Sequence, residues 1–143
     1  MPLHLIKLAV GVDSLSDLAE RQQQRLAEKI KKKQAPELIH ITRHRPKRGI
    51  ELLNGGSIYW VVKGFITARQ RLIDFRAVTR EGVPHCGLVY DPELVPVALR
   101  PQRAFQGWRY LEAKSAPPDR RSRGTEVEMP EELKRELAAL GLL

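Results

Sequence analysis

From Ser57 to Lys63 the chain reads Ser-Ile-Tyr-Trp-Val-Val-Lys, an aromatic and β-branched run directly after Gly55-Gly56. Such a run suits a pleated strand far better than a helix. Period two places Ile58, Trp60 and Val62 on one face and Tyr59, Val61 and Lys63 on the other. Just upstream lies a basic, helix-breaking turn, Arg43-His44-Arg45-Pro46-Lys47-Arg48-Gly49. The contrast between turn and strand is the strongest functional clue, because no segment spells out a catalytic or cofactor motif.

Other elements fall around this strand. Leu3 to Val10 reads as a strand, followed by a helix that opens at Asp13 or Ser14, carries Leu15, Leu18, Ala19, Leu26 and Ile30 on one side, and runs to about Lys33. The lysines at 31 to 33 then sit at the helix end that favours cations. After Pro36, Leu38 to Arg43 is a second strand, and Arg48 to Leu53 has room for one helical turn, stopped by Gly55 or Gly56. Leu72 to Thr79 and His85 to Tyr90, separated by Glu81-Gly82, continue an antiparallel meander. Asp91-Pro92, Pro96 and Pro101 break the next stretch into loop or short strand, and Phe105, Trp108 and Leu111 outline a helical face. Residues 115–129 read as an exposed linker and 130–143 as an amphipathic helix with a Leu133, Leu137, Leu140 stripe. The expectation is a single α+β domain over residues 1–114 with a curved, mainly antiparallel sheet or a small barrel, a long N-terminal helix, and the C-terminal helix beyond the linker.

A chain of 143 residues buries a core as one domain, removing roughly 68% of the unfolded chain's surface from water. Hydrophobic content of 42% with 29% charged residues argues against wholesale disorder. The net charge of +8 is concentrated: residues 36–80 hold nine Lys and Arg against three Asp and Glu, which is six of the eight. A local excess of this size points to phosphate-bearing partners. Cys86 is the single cysteine, which fits a reducing compartment. The first residues lack a signal peptide's apolar run, and the longest apolar stretch, Ile58 to Val62, is far too short to span a bilayer; a cytoplasmic protein with no membrane partner is expected.

These patterns converge on non-catalytic binding of nucleic acid, RNA in the first instance. Arg43, Arg45, Lys47 and Arg48 position phosphates, Lys63, Arg69 and Arg71 extend the groove, and Tyr59 offers a stacking surface. An alternative is a protein-interaction module that docks residues 130–143 on a partner. A small hydrolase or transferase near His85, Cys86 or Glu51 is a third reading, although neighbours on a strand face opposite ways and nothing requires Glu51 to meet Asp74. His40 and His44 lie about 13 Å apart on an extended strand, too far to share a metal. No cofactor, metal or catalytic residue is assigned.

The runs Thr42 to Arg48, Gly55 to Gly64, Arg69-Gln70-Arg71, His85 to Leu88 and Arg103 to Leu111 together resemble a family of small alphaproteobacterial proteins catalogued as a domain of unknown function. That resemblance covers nearly the whole chain and implies no catalytic residues. The glycine-rich turn with the strands Ile58 to Lys63 and Leu72 to Val78 is also similar to the central hairpin of PUA and ASCH-type barrels, a likeness that implies RNA or modified-base binding.

Overall fold

A computed structural model describes residues 2–120. Among them, seven strands form one mixed sheet: β1 (His4–Leu8), β2 (Leu38–Thr42), β3 (Ser57–Val62), β4 (Phe65–Arg80), β5 (Val83–Tyr90), β6 (Val95–Pro101) and β7 (Trp108–Leu111). Two α-helices, α1 (Leu15–Lys31) and α2 (Gly49–Leu53), complete the framework. The strand order is β2-β5-β4-β3-β1-β7, with β6 paired to β4; the path ends at β2 and β7 without closing. The sheet is therefore open and curved, which corrects the small-barrel alternative. The expected helix over 130–143 and most of the expected linker lie outside the described residues.

Alternation and hairpin chemistry shape the centre. Val62 pairs with Phe65 across a two-residue turn, where Lys63 and Gly64 adopt φ of 49° and 82°. Two left-handed residues match the twist of the flanking strands, so Lys63 belongs to the turn and not to the strand end expected for it. Glu81 and Gly82, with φ of 49° and 77°, join β4 to β5 in the same way. β4 is twice the length of the strand read at Leu72 to Thr79. Its first half pairs with β3 and β6, its second half with β5, and register shifts mark the change. Such shifts bend a strand, and here one strand serves two parts of a curved sheet.

β1 lies parallel to β3 and antiparallel to β7. The spacing of Phe105, Trp108 and Leu111 suggested a helix, but Trp108–Leu111 is a strand. Gly107 at φ 70° interrupts any helix there, and the free amides and carbonyls of the β1 edge supply a hydrogen-bonding partner. The proline-interrupted stretch after Asp91 forms β6 along β4. Residues just beyond 115 are held to β6, with the Ala98 amide donating to the Pro118 carbonyl at 2.8 Å and a Val97–Asp119 bridge.

β3 is covered on both faces. Ile58, Trp60 and Val62 join Leu5, Leu72, Phe75, Leu88 and Tyr90 in a core under Leu18 of α1 and Leu52 of α2. Tyr59 and Val61 enter a second cluster with Ile6, Ile66, Val97 and Phe105. Helix α1 starts at an N-cap in which Ser14 Oγ accepts from the Asp17 amide, while the Asp17 carboxylate accepts from the Asp13 amide. Its buried face presents Leu18 and Gln22; Ile30, expected on the apolar stripe, is exposed.

Candidate functional site

The basic turn follows β2 and is anchored by the buried Pro46. Arg43 Nη1 donates to the Pro84 carbonyl of β5 at 2.5 Å, and the Arg45 guanidinium lies 5.8 Å from the centre of the Phe75 ring. Both contacts draw the turn toward the β4–β5 hairpin. Arg43, His44, Arg45, Arg76, His85 and Cys86 there line an open cavity of about 230 Å³ whose walls carry no carboxylate. Lys47, next along the same turn, is exposed. Arg76 is already held by Glu37 at 2.5 Å and Asp74 at 3.2 Å, so its charge is partly neutralised.

The other expected cations go elsewhere. Arg48 turns to Glu51 through two bonds of 2.7 and 3.0 Å and lies over the Tyr110 ring at 5.5 Å. Lys63 pairs with Asp13 at 3.0 Å. Arg69 makes two 2.7 Å bonds to Asp119 and a third to Ser57 Oγ, and this partner holds the Asp119 carboxyl below the usual range. Arg71 is exposed and pairs across the ladder with Ser57, two positions from the Arg69–Tyr59 pair. Arg69 and Arg71 therefore share the sheet face of Tyr59, whereas Arg45 lies against Phe75 on the face of the first core. The eight predicted residues do not make one groove.

Tyr59 needs a firmer correction. Its ring is 4% exposed, packed in the second cluster and edge-on to His4 at 5.0 Å. A base cannot stack on a face that protein already covers. His4 is itself fixed, its Nδ1 accepting from the Ser57 amide at 2.9 Å, and burial followed by the charge of Arg69 lowers its pKa.

The cysteine chemistry has equally little support. Cys86 is buried, and that burial raises its thiol pKa more than Arg45 lowers it. His85 Nδ1 is engaged with the Val83 carbonyl at 2.9 Å. Glu51 is spoken for by Arg48, which lowers its pKa through their hydrogen bond. Among the described residues no three His, Cys, Asp or Glu side chains converge to hold a metal, and no helix is long and apolar enough to cross a membrane.

A family model described as a protein of unknown function, DUF1489, matches residues 5–143. The chain belongs to the DUF1489 family. No curated protein and no solved structure matches it.

The DUF1489 fold also assembles a site that the sequence did not signal. Lys7 of β1, Arg25 of α1 and His40 of β2 meet around a cavity of about 190 Å³ floored by Trp60 and Tyr90. These residues are 18 and 15 positions apart, on three separate elements, so no local motif could announce them. Beneath them Gln22 and Gln70 form a reciprocal amide pair at 2.7 and 2.8 Å, and Trp60 Nε1 donates to Gln70 Oε1 at 2.8 Å. Burial, reinforced by Lys7 and Arg25, pushes the His40 pKa down to about 4, leaving the ring neutral at physiological pH.

Proposed function

We propose that this DUF1489 protein binds RNA non-catalytically, through the turn Arg43 to Lys47 and the facing end of the β4–β5 hairpin. The observation that carries the reading is the carboxylate-free cavity on which Arg43, His44, Arg45 and His85 converge. Arg43 and Arg45 are each oriented by a neutral partner, a carbonyl and an aromatic ring, and among the described residues neither guanidinium is in a salt bridge. Arg side chains held in this way offer paired donors to phosphate oxygens. Lys47 follows in the same turn as an exposed cation, and Arg80 stands one ladder position beyond the Thr79–Pro84 pair, extending the positive edge.

With Tyr59 buried, the interface reads backbone charge and not stacked bases. Binding is expected to be strongly salt-dependent and weakly sequence-dependent. Fluorescence anisotropy of short single-stranded RNAs of different sequence, titrated at low salt with the full chain, tests this. Complexes of similar affinity across sequences are expected; no detectable complex would overturn the reading.

A further inference from the structure

The cavity between β1, α1 and β2 is chemically lopsided. Lys7, Arg25 and His40 supply two cations and a neutral imidazole, and no acidic side chain lines the walls. Deeper polar groups are satisfied: Gln22, Gln70 and the Trp60 indole bond to one another, and Gln70 also donates to the Asp91 carbonyl at 3.1 Å. Lys7 Nζ and the His40 ring nitrogens, by contrast, make no hydrogen bond to any described residue. Burial already lowers the Lys7 pKa, a cost that an anion beside the ammonium would offset. The remaining wall is apolar, from Ala9, Val12 and Leu18.

We propose that this cavity binds a small organic carboxylate, its head held by Lys7, Arg25 and the His40 N–H and its apolar body set against Ala9, Val12 and Leu18. The volume of about 190 Å³ falls below the roughly 300–1,000 Å³ of pockets for drug-sized ligands, which suits a compact acid. Arg25 brings the planar pair of donors that a carboxylate matches, and Lys7 a mobile point charge. An inorganic anion would leave the apolar wall unused. The site lies apart from the Arg43–Lys47 turn and stands independently of RNA binding.

Benzoate serves as the probe, titrated into the full chain at fixed ionic strength while the His40 imidazole resonances are followed by NMR. Saturable shifts at His40 are expected, with benzamide and inorganic phosphate binding at least tenfold more weakly. Lys7→Met should weaken benzoate at least tenfold. Arg25→Gln, at an exposed position of α1, should weaken it at least threefold. Unmoved His40 resonances overturn the proposal, as does benzamide or phosphate binding as tightly as benzoate. Unchanged affinity in Arg25→Gln also overturns it.

Discussion

His40 couples the cavity to stability through its protonation. The unfolded side chain titrates near pH 6.5, and the folded one near 4, because burial first and then Lys7 and Arg25 oppose the imidazolium. Its remaining titratable neighbour, Tyr90 from β5, has a pKa raised by burial and stays neutral through this range. The contribution of His40 is whole above pH 6.5 and is lost as pH falls from there toward 4, since the unfolded state then binds a proton that the folded state refuses. The loss is at most about 3 kcal/mol, and less to the extent that water reaches the ring. Urea unfolding from pH 7.5 to 4.5 should show this decline, and His40→Gln should flatten it, leaving a smaller slope of the same sign from His4. An identical profile in the variant would contradict the account. Gln70 sets a second residue-scale expectation. Replacing it with Leu strands the Trp60 indole and the Gln22 amide in the core, so Gln70→Leu should cost about 3 kcal/mol, read from the denaturant midpoint at unchanged slope.

At the scale of elements, the passage from α2 into β3 depends on close backbone approach. A Cβ on Gly56 would stand 2.2 Å from the Leu3 carbonyl oxygen and 2.3 Å from that of Leu52. Both are backbone atoms, so relief requires moving α2 or the start of β1. Gly56→Ala should therefore destabilise by about 2 kcal/mol or more, measured by thermal or chemical unfolding. Gly55→Ala strains a φ of 90° instead and tests the turn separately. The same elements show what the sequence made legible. Ser57 to Val62 and the split of its side chains between two faces could be read from period two, because every residue of β3 is apolar or small. The first half of β4 was hidden by Arg69, Gln70 and Arg71, which look like surface residues. Gln70 is buried only because Gln22, 48 residues away, returns its hydrogen bonds, and Arg69 is half-buried against Asp119. β7 was misread because three-residue spacing fits a helix, whereas the open edge of β1 decides the outcome.

For the whole molecule, the placement of charge matters more than its total. Six of the eight net charges lie in residues 36–80, yet folding divides them between two faces and neutralises Arg48, Lys63, Arg69 and Arg76 with Glu51, Asp13, Asp119, Glu37 and Asp74. Composition shows the excess but not its pairing, because the partners lie as far as 50 residues apart. The turn from Arg43 to Lys47 keeps its cations, and the carboxylate-free cavity beside it anchors the proposed RNA interface. The most direct measurement is the salt dependence of binding to one short single-stranded RNA, compared among the unmodified chain, Arg43→Gln/Arg45→Gln and Arg71→Gln. If both turn arginines contact phosphates, the double variant should lower the slope of log affinity against log salt by about 1.4, while Arg71→Gln, on the opposite face, leaves it unchanged. An unchanged slope in the double variant, or an equal reduction from Arg71→Gln, would contradict the account.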